Sequence, residues 1–469
     1  MFKKSKEQKF LLSVIILYVT SLLFFIPHHE HWADEAQSWL LARDSGLYEL
    51  LWQNLRYEGT PGLWQVLLMI PSRIFDYNSL SYISGLIASI GIYLLLFKSP
   101  FPVWIKVLLP FSYFLCFQYG IVARSYVLLI PLLFGIASIY ERKFQKPFLF
   151  ILLILLLANV SLHGSLMALA IMLDTFIDLI KKRKSLSQKQ WLTQCFNYLL
   201  FLACGLFIIY QLKPPSNLSF SPNGFEFDWL HFKEQSKDIL ISVFTEKSWL
   251  SYPIIFLSIV WFYITRRLTL FLVGSILLLV LYSFYYNVWH QGTLFLFWLF
   301  VLWLSFDESH FFELSFFFKP VINLAIIITL GFHIYWNIAA LKNDYKGQYS
   351  ASKALANYIQ DNNYQDKNIF AYHFWPVAIQ PYFEQNIYTD SRYFNNNAFW
   401  VWNIENEYAD DLETVLNRNH DMLIFPKPHL YPVPEAIPPY KKVEQPFIGE
   451  VYWKAGINEY VEFVVWVRE

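Results

Sequence analysis

Long apolar runs constrain this chain more than any other feature. Phe148–Val160 and Leu268–Val280 contain no charged side chain, and runs of the same character recur through the first two-thirds of the sequence. Hydrophobic residues make up 56% of the 469, aromatic residues 20% and charged residues only 15%. A soluble core cannot hide that many apolar segments. A bilayer can, because helices of about 20 apolar residues cross its hydrocarbon interior with their backbone hydrogen bonds closed internally. Length alone would suggest two or three soluble domains. Composition overrides that and predicts an α-helical polytopic membrane protein.

Spans are predicted at 10–27, 79–97, 101–118, 122–140, 147–162, 164–180, 195–212, 249–265, 268–286, 293–306 and 318–337, about eleven in all. Lys3, Lys4, Lys6 and Lys9 precede the first, and the positive-inside rule sets that end in the cytoplasm. Counting spans then brings Arg142-Lys143, Lys181-Lys182-Arg183-Lys184 and Arg266-Arg267 to the same side. The loops 28–78 and 213–248, and everything after about 338, fall on the extracytoplasmic side. The chain is expected to be an integral membrane protein with its N-terminus in the cytoplasm. Pro27-His28-His29 follows the first run where a cleavage site would need small residues, so the run reads as a retained span. Leu47–Leu55 and Leu63–Ile70, the latter after Thr60-Pro61, are too short to cross and read as helices lying in the interface.

The tail, 338–469, is richer in Asn, Asp, Tyr and Pro. Ser352–Ile359 and Asp410–Asn417 read as helices, and Asn368–Phe374, Asp421–Phe425 and Glu459–Val467 as strands. The expected organisation is a transmembrane domain, 1–337, followed by a small extracytoplasmic α/β domain. Zero net charge provides no global field for nucleic acid. Cys116, Cys195 and Cys204 lie in or beside apolar runs without metal-ligand spacing, and no disulfide is expected. The chain carries no Walker loop, dinucleotide fingerprint or zinc-protease motif.

Chemistry points to the first long loop, which opens His28-His29-Glu30-His31-Trp32-Ala33-Asp34-Glu35. Helical spacing begins near Asp34, and the dipole at a helix N-terminus favours a negative side chain there. Asp34 is therefore a candidate general base or metal ligand; the competing reading is a plain helix cap. Glu58, ahead of the second interfacial segment, should lie at the same depth, or be a solvated loop charge. Arg124 and Tyr126 in Ala123-Arg124-Ser125-Tyr126, His163 in Leu162-His163-Gly164 and His290 in Trp289-His290-Gln291 punctuate apolar sequence. Ionisable groups at membrane depth are functional candidates, although arginine at a helix end also snorkels to headgroups. The basic clusters put Arg124, His163 and His290 on the same side as Asp34, where cations could hold a lipid phosphate. Adjacent histidines on an extended chain point opposite ways, so His28, His29 and His31 make no standard metal site; no cofactor is assigned, and a divalent metal stays open.

HWADEAQSWLLARD followed by EGTPGLW resembles the GT-C superfamily of membrane glycosyltransferases, and is similar to bacterial relatives of the protein O-mannosyltransferases and lipid A aminoarabinose transferases. ARSYVLL and WHQGTLFLFWLFVLW echo it more faintly. The resemblance covers roughly 10–310 in organisation, with its specific motifs mainly in 31–64. It implies many spans, interfacial helices, an external C-terminal domain and a polyprenyl-phosphate sugar donor. It also implies Asp34 as catalytic base with Glu35 beside it, an inverting attack by an acceptor hydroxyl or amine, and a lipid-phosphate leaving group held by Arg124 and by His163 or His290. The acceptor would be a glycan, a lipid or a protein. This chain carries Thr60 and Trp289 where those relatives tend to carry histidine and arginine. Two further readings are a transporter or flippase of lipid-linked glycans and a non-catalytic sugar-binding membrane protein.

Overall fold

A computed structural model describes residues 2–219, 227–308, 313–388, 398–407, 412–427 and 437–468. Among them, eight helices are long and apolar enough to cross a membrane, or nine if one bent pair is counted as a single span. The eight are Lys6–His28, Ser79–Lys98, Val103–Ile121, Ser125–Arg142, Leu162–Lys181, Gln188–Gln211, Val288–Asp307 and Phe316–Lys346. Pro147–Ala158 and Leu268–Phe284 are helical and apolar, as expected, but shorter. The bent pair, Trp229–Phe244 and Ser248–Ile264, turns by 89°. Its first helix was expected to be loop; the Lys, Glu and Asp interleaved through WLHFKEQSKDILISVF mask the periodicity. Glu246, at φ 60°, makes the corner.

The first helix, α1 (Phe2–Phe25), shows how composition becomes packing. Leu11, Val14, Tyr18 and Leu22 form one buried stripe, while Phe10, Leu12, Ile16, Leu17, Leu23 and Phe24 are exposed. A stripe at three- and four-residue spacing faces the bundle, and the apolar remainder suits lipid rather than water. Val288–Asp307 is 94% buried in its apolar window and forms the centre of the bundle. At one end of the bundle the expected basic clusters meet acids: Lys143 pairs with Asp178 at 2.8 Å, and Arg267 with Glu141 at 3.0 Å and Asp174 at 3.5 Å.

The tail docks at the other end. Its strands are β1 (Ile369–Ala371), β2 (Met422–Lys427), β3 (Tyr440–Lys442), β4 (Phe447–Trp453) and β5 (Gly456–Arg468). The order is β1-β2-β5-β3, with β4 also pairing β5; only β1 and β2 run parallel. The helix Ser352–Asp361 and strands β1, β2 and β5 answer the sequence expectation, whereas β3 and β4 were not anticipated. The expected helix at 410–417 is seen as Leu412–Leu416, its first residues lying outside those described. The β4–β5 tip plugs into the bundle. Trp453 packs its ring 5.4 Å from that of Trp289 and 5.5 Å from that of Tyr113. Lys454 reaches Glu246 at 2.8 Å and donates to the Ser242 carbonyl at 2.7 Å. Burial pulls the Lys454 ammonium down to about 8, against the pull of Glu246.

Gly449 makes this docking close. A Cβ there would lie 2.7 Å from the Cα of Ser350 and 2.8 Å from the nitrogen of Ala351, both backbone atoms with no rotamer to escape into. Gly449→Ala is expected to cost about 1–3 kcal/mol and to loosen the tail from the bundle. Limited proteolysis checks this: the variant should be nicked in the tail several-fold faster, and unchanged cleavage would show that the contact yields cheaply.

Candidate functional site

The site is built by the second helix, α2 (Ala33–Asp44), whose N-cap is Trp32. Asp34 does not cap it. Glu35 does: its Oε2 accepts from the Trp32 backbone N–H at 3.1 Å. Its Oε1 accepts from the backbone N–H of Ala123 at 2.7 Å. His29 approaches Glu35 Oε2 at 3.3 Å through Nε2 and Asp344 at 3.1 Å through Nδ1, with both its neighbours and itself essentially sealed from solvent. Burial opposes the charge on His29, yet Asp344 and Glu35 push it up to about 10; His29 is an imidazolium held between two carboxylates. Glu35 is buried too, and His29 holds its carboxyl below the ordinary range.

That clasp leaves Asp34 directed at Arg124. Asp34 Oδ2 lies 2.8 Å from Arg124 Nη2, with side-chain exposures of 33% and 15%. Glu35 thus grips the backbone beside Arg124 while Asp34 grips its side chain, one dipeptide clamping another across the fold. The guanidinium lies 5.8 Å from the ring of Trp32 and 5.4 Å from that of Tyr126, near enough to gain from both faces. Its Nη1 is buried without a hydrogen-bond partner.

Two cavities meet at this pair. The first, about 300 Å³, is polar: Asp34, Gln37, Ser38, Glu58, Thr60 and Gln65 line it with Arg124 and Tyr126. The second, about 270 Å³, is aromatic: Trp32, Trp289, Trp375 and Trp402 surround Asp34, Arg124, His290 and Glu459. Tyr285, Phe374 and Trp402 also belong to both walls. Burial pushes the Glu58 carboxyl up to about 7; Gln37 donates to it at 2.7 Å and opposes that shift, while the charge of Asp34 adds to it. Gln37 also pairs with the backbone of Trp400, donating to its carbonyl at 2.7 Å and accepting from its N–H at 2.9 Å. The tail is therefore strapped onto α2 beside the site.

Of the residues singled out from sequence, Asp34, Glu58, Arg124 and Tyr126 line the first lobe, and Asp34, Arg124 and His290 the second. Glu35 and His163 line neither. His163 stands behind the wall, its ring 4.5 Å from that of His290 and 5.6 Å from that of Tyr126. His290 Nδ1 accepts from the Asn287 backbone N–H at 3.1 Å, which leaves Nε2 as the ring nitrogen free to donate. Sequence reading missed Gln37, Tyr285, Phe374, Trp402 and Glu459. Tyr285 had a signal in its nearness to His290; the tail residues had none, because no local pattern marks what folds back onto α2. Among the described residues, no group of three or more His, Cys, Asp or Glu side chains is arranged to hold a metal ion.

No family model matches the chain, and neither the curated proteins nor the solved structures provide a match.

Proposed function

We propose that this protein is a glycosyltransferase of the GT-C kind. It moves a sugar from a polyprenyl-phosphate carrier to an acceptor at the extracytoplasmic face of a bacterial inner membrane. The observation that carries the reading is the Asp34–Arg124 pair, 2.8 Å apart and shared by both lobes. Transfer between two substrates needs two adjoining compartments and, where they meet, a base for the nucleophile and a cation for the leaving group. Volumes of about 300 and 270 Å³ lie near the lower end of small-molecule sites, which run roughly 300–1,000 Å³.

In this reading the Asp34 carboxylate takes the proton from the acceptor's hydroxyl or amine. The freed lone pair attacks the anomeric carbon, a bond forms from acceptor to sugar, and the bond from sugar to phosphate oxygen breaks with inversion. The polyprenyl phosphate leaves carrying the bonding electrons, and the buried, unpartnered Nη1 of Arg124 is available to that charge. Glu58 and Gln37 are the polar groups available to sugar hydroxyls. No nucleotide is required.

The test is a transfer assay in nanodiscs with a panel of labelled polyprenyl-phosphate hexoses, following release of polyprenyl phosphate. Arg124→Gln is expected to lower the rate about 10²–10³-fold, as loss of a charge-stabilising donor does. An unchanged rate would remove Arg124 from the leaving-group role. If no donor in the panel is consumed by the wild type, the transfer reading fails.

A further inference from the structure

We propose that the aromatic lobe is an ammonium-binding site, with Glu459 as its anionic partner and the surrounding indole rings as its cage. In the transferase reading it receives the acceptor, and on that point it rests on that reading; binding itself does not. Four tryptophans from separate segments, Trp32, Trp289, Trp375 and Trp402, wall the cavity, and Glu459 is its carboxylate from the tail. Ring faces attract compact or alkylated cations, and the attraction strengthens where water is thin.

The charges in the lobe leave room for one more cation. Two carboxylates, Asp34 and Glu459, line it with one guanidinium, Arg124. Asp34 holds that guanidinium at 2.8 Å. Glu459 has no ion pair, and its Oε1 is buried without a hydrogen-bond partner. On β5 it sits opposite Val451, beside the irregularity in the β4–β5 register, and it is half-buried between the exposed Asn458 and Tyr460. Burial, and then the charge of Asp34, push its carboxyl up to about 7. The other titratable groups on the walls are Tyr285, His290 and His373. An arriving ammonium supplies what an unpaired carboxylate in this setting lacks. Metal cations are a poorer fit, since no three ligating side chains converge there among the described residues.

The test measures binding, not turnover. Wild type and Glu459→Gln in detergent are titrated calorimetrically with ethanolamine and tetramethylammonium, and with their uncharged counterparts ethylene glycol and tert-butanol. At pH 8 the wild type should prefer each cation at least tenfold over its neutral counterpart. The preference should shrink several-fold at pH 6, about a unit below the raised Glu459 value, where most of its carboxyl holds a proton, and should vanish in Glu459→Gln. Equal affinity for cations and neutral probes overturns the proposal, as does a preference that Glu459→Gln retains. The pH arm uses wild type alone and stands if the variant does not fold. Competition by phosphatidylethanolamine but not phosphatidylglycerol nanodiscs assigns the ammonium to a membrane lipid; a cation preference without that competition assigns it to another aminated acceptor. Cation binding without sugar transfer would sink the transferase reading alone, and transfer without cation preference would sink this one alone.

Discussion

Asp34→Asn is expected to abolish sugar transfer while leaving the protein folded. Asparagine keeps the shape of the side chain and can still reach Arg124, but it cannot take up a proton. Removing a positioned general base costs typically about 10²–10⁴-fold in rate. The fold should register the change only modestly, because Asp34 does not hold α2 in place. The cap on Trp32 and the bond to Ala123 both come from Glu35. Asp34 itself is a third exposed, which screens the pairing, but Arg124 is only 15% exposed, so removing the carboxylate charge costs some stability even though the amide oxygen can still face the guanidinium. Initial rates and thermal midpoints, measured on the same nanodisc preparation, check both halves of the expectation. A rate within threefold of wild type would remove Asp34 as the base, and a collapsed midpoint would show that it is a structural residue instead.

The bundle was legible because spanning a bilayer is a local property. About 20 apolar residues suffice, whatever lies elsewhere in the chain; eight of the eleven expected spans coincide with helices long and apolar enough to cross, while those at 147–162, 249–265 and 268–286 fall on helices that are shorter or belong to the bent pair. Gathering Asp34, Arg124 and His290 at one end follows from the same logic, since basic clusters mark the other end. What could not be read was the division of labour between Asp34 and Glu35. Helical spacing put both in a first turn, but only the third dimension brings Ala123 and His29 to Glu35 and leaves Asp34 facing a cavity. Strand β4 was hidden by Gly449, a residue that weakens a strand signal. The fold demands glycine there because β4 passes against the backbone of Ser350 and Ala351. Glu459 was read as the start of a strand, and its place in the aromatic lobe depends on a hairpin plug that no periodicity announces.

His29→Gln and Glu35→Gln are expected to behave in the opposite way to Asp34→Asn, by destabilising the protein first. The His29 imidazolium and the Glu35 and Asp344 carboxylates are sealed from water, so each variant leaves a buried charge short of its partner. Breaking a buried pair from one side typically costs about 3–5 kcal/mol. The pH dependence has a definite sign. His29 is raised from 6.5 to about 10 on folding, so its contribution is fully present below pH 6.5 and is lost as pH rises through 10. Glu35 is depressed below 4.5, so its contribution is present above that value and is lost as pH falls through its folded value. The clasp therefore works across the neutral range and fails first on the alkaline side. Thermal midpoints of wild type and His29→Gln should differ most near pH 6, be slightly closer at pH 7 and converge toward pH 11. A gap that stays constant from pH 7 to 11 would mean that His29 contributes packing rather than charge. Because Glu35 also fixes the backbone next to Arg124, Glu35→Gln should reduce transfer even at temperatures where it remains folded. Its double-mutant cycle with His29→Gln should be strongly non-additive, as expected for two groups in one network.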